Sequence, residues 1–325
     1  MRPTRRGARD PRSRCSSCGQ PRFRCAPVHH HGAVGPRQPG ILPRSVIVHR
    51  PPAERIARIV AAAVIIGVGI SILYFAVTRW TQSDAAAYWN AALRLRHGAQ
   101  LYPVVGNVEA SDVYRYAPWF AWLAVPFTFL PVQVAGAIWS TILVAASCVA
   151  VTPLARRRAW LQVAFFWPLL IGVSAYGNVQ ALMVASLAWG VERRSGPLWV
   201  GMAASLKIFP ILLALVYLGR REWLRVALCV AVAAVLWAPA FLYDLRGYVS
   251  QAGVASLLVG YLPAYIAVAG GAVIASVVLA AGRYGWLAGA TAVVLASPRF
   301  FVYDVSYLLI GGNGIPDAPI PERGR

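Results

Sequence analysis

The chain has 325 residues, of which 58% are hydrophobic and 13% charged, with a mean hydropathy of +0.58 and a net charge of +20. A soluble domain carries roughly a quarter charged residues, so this composition excludes an ordinary soluble protein and predicts an all-α, polytopic transmembrane helical bundle. The positive charge does not indicate nucleic-acid binding. The arginines cluster in short patches between apolar runs, as they do in the cytoplasmic loops of membrane proteins.

Residues 1–50 are rich in Arg, Pro and Gly and have almost no apolar periodicity, which predicts a disordered basic tail. Cys15, Cys18 and Cys25 precede three histidines, and such a cluster could also ligate zinc. No second CxxC pair lies at zinc-ribbon spacing and no apolar core surrounds the cluster, so we favour disorder. Residues 51–312 form the predicted membrane domain, and 313–325 form a short polar tail.

The apolar segments predict nine or ten crossing or half-crossing helices. The first is Ile56–Thr78, and the arginines before it place the N-terminus in the cytoplasm and residues 79–118 in an outer loop. The stretch APWFAWLAVPFTFLP that follows is too short to cross a ~30 Å bilayer core. The remaining predicted segments are Val132–Pro153, Ala159–Tyr176, Ala181–Val191, 197–219, Trp223–Tyr243, Leu262–Gly282, Tyr284–Ser297 and Val305–Gly312.

One apolar segment, GMAASLKIFPILLALVYLG, contains Lys207, the only lysine among the 31 basic residues. A single full crossing here would place Arg220 and Arg221 outside the cell. Two short helices that meet near Lys207–Pro210 keep these arginines in the cytoplasm, and proline favours the break because it removes a helix hydrogen bond. The sequence therefore predicts a broken hairpin with Lys207 at its outer vertex, on the same side as loop 79–118.

The first part of the outer loop, SDAAAYWNAALRLRHG, predicts a helix that starts at Ser83 or Asp84 and stops at Gly98. Asp84 and Tyr88 share one face of this helix. Asp84 is interpreted either as a helix N-cap or as a general base near the outer membrane surface. The two roles are compatible, because a capping carboxylate keeps free lone pairs.

Five segments, taken in chain order, resemble glycosyltransferase family 87. They are SDAAAYWNAALRLRHGAQLY, VYRYAPWFAWLAVPFTFLP, YGNVQALMVASLAW, WVGMAASLKIFPILLALVYLGRREW and LASPRFFVYD. The resemblance covers roughly residues 56–310. It implies a GT-C-like integral membrane enzyme that uses a polyprenyl-phosphate sugar, with an essential aspartate in its first outer loop. Asp84 matches that aspartate. In two respects the chain departs from the family: its GNVQ turn has Asn before Gln, and it stops where many members continue with further spans.

The resemblance implies an inverting glycosyltransferase at the outer face of the cytoplasmic membrane, which moves a hexose or pentose, above all mannose. The implied partners are the polyprenyl-phosphate sugar, a glycolipid or glycan acceptor and membrane lipid. Asp84 would be the general base. Lys207 would bind the donor phosphate, since an intramembrane ionisable residue is a functional hypothesis by default, and Arg299 in the outer SPR segment is a second candidate for phosphate binding. The candidates for sugar or acceptor binding are Tyr88, Glu109, Asp112, Tyr116, Asn178 and Gln180.

Each candidate also has a structural interpretation. The two cations could anchor helices by snorkelling, the tyrosines could belong to an interfacial aromatic belt, and the amides could close helix ends. No cofactor is implied; the loop carboxylates lack metal-ligand spacing, and a divalent cation stays open as an alternative. Asp244 and Asp304 are expected to pair with Arg246 and Arg299. The rival functions are a transporter or flippase for a lipid-linked sugar, and a truncated, inactive paralogue.

Overall fold

The computed structural model describes residues 84–106, 113–248, 261–298 and 300–314, together with scattered helical positions between 56 and 78. The four continuous ranges contain ten α-helices and four 3₁₀ segments, and no described residue is in a strand, which confirms the predicted all-α class. The predicted tail 1–50, Ser83, most of the first span and almost all of the tail 313–325 lie outside the described residues.

The helices follow the predicted apolar segments. Beyond residue 130, their ends differ from the predicted ends by only a few residues. In chain order they are α1 Asp84–Arg96, α2 Pro118–Ala124, α3 Val132–Arg156, α4 Trp160–Ala175, α5 Gln180–Gly190, α6 Gly196–Leu206, α7 Ala214–Gly219, α8 Trp223–Trp237, α9 Leu262–Val278 and α10 Gly285–Ala296. The 3₁₀ segments are Val125–Phe129, Phe209–Leu213, Ala238–Leu242 and Val302–Gly314.

Among the described helices, two continuous stretches are long and apolar enough to cross a bilayer. They are Val132–Arg156, with 25 residues, and Trp223–Leu242, with 20. The second stretch presents large apolar side chains to its surroundings, since Leu224 is 73%, Val235 68% and Phe241 86% exposed. Such a surface is costly in water and compatible with lipid tails. It supports the predicted membrane location.

The broken hairpin predicted at residues 197–219 is present. Helix α6 ends at Leu206, Lys207 has an extended backbone with φ −134° and ψ 126°, and a 3₁₀ segment leads into α7. The two arms return to one end of the bundle, because the Tyr217 hydroxyl donates a 2.5 Å hydrogen bond to the carbonyl of Val191, close to the start of α6. Lys207 therefore lies at the vertex, and the membrane side that this vertex faces stays a prediction.

The segment Val302–Gly314 brings the last described part of the chain to this vertex. It packs against α5 and α10, while α10 packs against α9, and α6 against α8. One apolar core unites these elements and includes Leu187, Tyr217 and Trp286, all completely buried. The packing holds the start of α5, the vertex and the segment Val302–Gly314 side by side.

The bundle has two ends of different chemistry. We call them the Asp84 end, where α1 and α5 begin, and the Arg220 end, where α7 stops. At the Arg220 end, the Arg220 guanidinium donates to both carboxylate oxygens of Glu192 at 3.1–3.2 Å and to the carbonyl of Ala280 at 2.8 Å. The Trp286 indole N–H also donates to Glu192.

Four helix ends are closed by the same backbone turn, in which one residue has a left-handed φ. These residues are Gly98 (φ 65°), Gly177 (74°), Arg158 (59°) and Arg221 (61°). In each turn the N–H of this residue donates to the carbonyl of the residue three positions earlier. The N–H of the following residue donates to the carbonyl of the residue five positions before itself. This is the Schellman pattern, in which glycine is the residue of lowest strain. In the two turns at the Arg220 end, this left-handed position is occupied by an arginine, Arg158 in one and Arg221 in the other.

Candidate active site

Asp84 is held at the start of α1 by the turn between α4 and α5. Its backbone N–H donates to the carbonyl of Tyr176 at 2.8 Å, and the Asn178 side-chain amide donates to its Oδ2 at 2.6 Å. The approach is close, because a Cβ added at Gly177 would lie 2.5 Å from the Cβ of Ala85. A glycine in this turn therefore lets the helix start reach Asn178, and the predicted helix with Asp84 at its beginning is confirmed.

The surroundings of Asp84 favour a carboxylate that can take up a proton. Burial raises the pKa of the Asp84 carboxyl above its ordinary value of 3.8. The hydrogen bond from Asn178 and the positive charges of Lys207 and Arg115 act against this rise. A carboxylate with a raised pKa is a stronger general base. Arg115 was not among the predicted site residues, although it lies in the VYRYAP segment that carries part of the family resemblance.

Asn178 and Gln180 link Asp84 to the vertex of the hairpin. The Asn178 Oδ1 accepts a hydrogen bond from the backbone N–H of Gln180 at 2.9 Å. Gln180 is completely buried; its Oε1 accepts from the Lys207 ammonium at 3.0 Å, and its amide nitrogen is 3.3 Å from the Ser306 hydroxyl. Four of the predicted site residues are thus joined in one polar network at the Asp84 end.

Lys207 is buried at the vertex, with its side chain 8% exposed. Its ammonium lies 3.0 Å from Gln180 Oε1, 3.4 Å from Asp304 Oδ1 and 4.7 Å from the centroid of the Tyr303 ring. A cavity of about 20 Å³ adjoins the ammonium and the Asp304 carboxylate, which is room for about one water molecule. This burial differs from the arrangement of a lysine that snorkels to the interface.

Asp304 has a partner that the sequence did not indicate. Its expected partner, Arg299, lies outside the described residues, and within them the structure places Asp304 against Lys207. Its other oxygen accepts the backbone N–H of Phe301 at 3.0 Å, and the residue is 3% exposed. The SPRFFVYD segment and the scarcity of acids were the signals that could have identified it. The expected pair of Asp244 and Arg246 is confirmed at 2.6 Å.

Tyr88 and Tyr116 lie beside Asp84 in an aromatic cluster. The Tyr88 hydroxyl donates to the Tyr116 hydroxyl at 3.2 Å, and the Tyr88 ring meets the rings of Tyr116, Phe120 and Trp139 edge-on. Tyr88 is 3% and Tyr116 5% exposed. This packing leaves little ring surface for a sugar to stack on, and the sugar-binding role of the two tyrosines stays a prediction.

The structure does not place every predicted site residue. Glu109, Asp112 and Arg299 lie outside the described residues. Across the described part of the chain, no group of three His, Cys, Asp or Glu side chains has the arrangement of a metal site.

Comparison with known proteins places the chain in a family. Glycosyltransferase family 87 matches residues 114–298, a range that includes Asn178, Gln180 and Lys207 and stops short of Asp84 and Asp304. A polyprenol-phosphate-mannose-dependent alpha-(1-2)-phosphatidylinositol pentamannoside mannosyltransferase of Mycolicibacterium smegmatis (strain ATCC 700084 / mc(2)155) is 30% identical over 168 residues.

That alignment takes in 46% of this chain and 40% of the mycobacterial protein, so the chain matches less than half of that relative's length. No solved structure matches the chain. The family match covers more than half of the chain, and its residues include the buried lysine and the two amides that join it to Asp84. The chain belongs to glycosyltransferase family 87.

Proposed function

We propose that the protein transfers a sugar, mannose in the first instance, from a polyprenyl phosphate to a glycolipid or glycan acceptor. The reaction would take place at the outer face of the cytoplasmic membrane. The observation that carries the proposal is the network that joins a partly buried aspartate of raised pKa to a buried ammonium through Asn178 and Gln180. Membership of the family and the named substrate of the mycobacterial relative support the donor class.

In the proposed reaction, Asp84 takes the proton of the acceptor hydroxyl while the hydroxyl oxygen attacks the anomeric carbon of the donor. The bond between that carbon and the phosphate oxygen breaks, and its electron pair leaves with the polyprenyl phosphate. Attack opposite the phosphate inverts the anomeric carbon, so a β-linked donor gives an α-glycoside. General-base assistance of this kind contributes ~10²–10⁴-fold to the rate.

Lys207 stabilises the negative charge that grows on the leaving phosphate. A fixed cation at the edge of the bilayer acts strongly, because little water screens it. Arg299 is proposed as a second phosphate ligand. Asn178 and Gln180 orient the base and the ammonium, and Glu109 and Asp112 are proposed to bind acceptor hydroxyls from the outer loop.

The location of the buried charges favours an enzyme over a transporter for a lipid-linked sugar. A transporter places ionisable groups along a path near the middle of the membrane. Among the described residues, the two buried ionised side chains are Lys207 and Asp304, and both lie in the Asp84 network at one end of the bundle.

The test is sugar transfer in membranes that contain the full chain, with labelled polyprenyl-phosphate mannose and a mixed glycolipid acceptor. We expect Asp84→Asn to lower transfer by at least ~100-fold, because the amide cannot take up the proton. The matched control is Asp244→Asn, which removes an exposed carboxylate paired with Arg246 and should leave transfer unchanged.

Equal transfer by the wild type and Asp84→Asn would exclude Asp84 as the base. If neither transfers mannose although both insert in the membrane, the same assay with a polyprenyl-phosphate arabinofuranose donor decides between the two sugars. No transfer from either donor would contradict the proposed function.

A further inference from the structure

The ammonium of Lys207 is neutralised by a carboxylate of its own chain. Its separation from Asp304 Oδ1 is 3.4 Å, and the two side chains are 8% and 5% exposed. An isolated charge at this level of burial would be very costly, so each member of the pair requires the other. The pair joins segments that are 97 residues apart in sequence, and only tertiary packing brings them together.

Both partners of the ammonium are themselves fixed. The second oxygen of Asp304 accepts the backbone N–H of Phe301, and this bond sets the direction of the carboxylate. Gln180 is completely buried at the first turn of α5, where its amide nitrogen lies within hydrogen-bond distance of Ser306. The ammonium thus lies between two oxygens that cannot easily move. Lysine carries three donor hydrogens, so a third N–H exists beyond these two contacts, on an ammonium that also faces the Tyr303 ring and a small cavity.

We propose that Asp304 is a positioning residue for the transfer reaction, holding the Lys207 ammonium where its remaining N–H meets the donor phosphate. This inference rests on the proposed function, since it assigns the phosphate to Lys207. Asp304 does not touch the substrate; it acts through the lysine. A flexible, unpaired lysine could turn away from the site, whereas the carboxylate and Gln180 together fix its direction.

The opposite role for Asp304 makes the inference falsifiable. A carboxylate beside the ammonium could compete with the donor phosphate, and its removal would then strengthen phosphate binding. Positioning predicts the reverse sign, because loss of the carboxylate frees the ammonium to reorient. The sign of the change in affinity for a polyprenyl phosphate therefore decides between the two roles.

The first measurement is the binding of decaprenyl phosphate to the purified full chain in detergent. Binding is detected as the increase in melting temperature that the ligand causes over a range of concentrations. We expect Lys207→Met to weaken binding ~10–100-fold, as for loss of a charge-assisted hydrogen bond. Asp304→Asn should weaken it by a similar factor, and Asp304→Glu should restore most of the affinity. Asp244→Asn is the matched control and should bind as the wild type does.

A double variant keeps the test valid if Asp304→Asn folds poorly. Lys207→Met combined with Asp304→Asn has neither buried charge, so it should melt at a higher temperature than Asp304→Asn alone. Its affinity for decaprenyl phosphate should equal that of Lys207→Met, because Asp304 has no effect without the lysine. Independent, multiplying losses from the two substitutions would overturn the proposal, as would tighter or unchanged binding by Asp304→Asn.

Kinetics separate this inference from the proposed function. Where transfer is observed, Asp304→Asn should lower kcat for the sugar donor, and Asp304→Glu should recover it, which general destabilisation of the fold would not explain. Decaprenyl phosphate binding that depends on both residues, in a chain without transfer, would contradict the proposed function and leave in place only the role of Asp304 in holding the Lys207 ammonium toward a phosphate. Wild-type protein that does not bind decaprenyl phosphate would overturn the positioning role itself.

Discussion

The two ends of the bundle each contain an ion pair, and the pairs differ in burial. At the Asp84 end, the Lys207 and Asp304 side chains are 8% and 5% exposed. At the Arg220 end, Arg220 and Glu192 are 20% and 44% exposed, and the guanidinium also binds a backbone carbonyl. Water can replace a lost partner at the Arg220 end, and has little room to do so at the Asp84 end.

This difference in burial suggests that the Arg220–Glu192 pair stabilises the fold, whereas the Lys207–Asp304 pair belongs to the candidate site. The Arg220 guanidinium joins three segments through several N–H donors that lie in one plane, and arginine provides this geometry. The ammonium of Lys207 is a compact charge beside a small cavity. Pairing alone therefore says little about a role, whereas burial and an adjoining cavity point to the site.

The largest expected effect comes from breaking the two pairs in the same way. Asp304→Asn leaves Lys207 buried without a counter-ion and should lower the free energy of unfolding by about 3 kcal/mol or more. Glu192→Gln removes a partly exposed carboxylate and should cost about 1 kcal/mol or less. Melting temperatures of the two purified variants in the same detergent measure this difference. Equal shifts would contradict the distinction between the ends.

A smaller effect is expected at the turn that supports Asp84. Gly177→Ala forces a side chain into a left-handed backbone and onto Ala85, so it should cost about 2 kcal/mol or more and reduce transfer. Gly98→Ala is the matched control, because its φ is also positive and no atom lies within 4 Å of the added Cβ. It should cost only about 1 kcal/mol. Thermal unfolding and transfer rates of the two variants check this, and similar losses would exclude the contact with Ala85 as the cause.

The smallest expected effect is a shift in the pH dependence of transfer. The base acts when deprotonated, so the rate falls as the pH drops through the pKa of Asp84, which burial places above 3.8. The Asn178 hydrogen bond lowers that pKa, so Asn178→Ala should move the acid limb to higher pH. Glu192→Gln, at the opposite end, should give the wild-type profile. An unmoved or lower acid limb in Asn178→Ala would argue against Asp84 as the titrating group.

Much of this arrangement can be predicted from the sequence, because local signals are strong in an apolar chain. Pro210 and the single lysine locate the break in the hairpin, and Gly98 marks the end of α1. The family resemblance selected Asp84, the single intramembrane lysine selected Lys207, and the predicted outer turn selected Asn178 and Gln180. That these residues form one connected network required the structure.

Other parts could not be predicted, for physical reasons. The partner of Asp304 is 97 residues away, and sequence proximity suggested Arg299 instead. Aromatic residues in an outer loop have the same sequence pattern whether they form an aromatic belt at the membrane interface or a buried, packed cluster. Only the burial of Tyr88 and Tyr116 distinguishes these cases.

Helix α3 also gives the depth of the site in the bilayer. The Trp139 indole N–H donates to the carbonyl of Gly177 at 2.7 Å, and this level lies about 25 Å along α3 from Arg156, at 1.5 Å per residue. If the arginine turns lie at one boundary of a core about 30 Å thick, as the sequence predicts, Asp84 and its neighbours lie close to the other boundary. The phosphate of the proposed lipid-anchored donor would occupy that same level, so the donor would reach the base while its tail stays in the hydrocarbon.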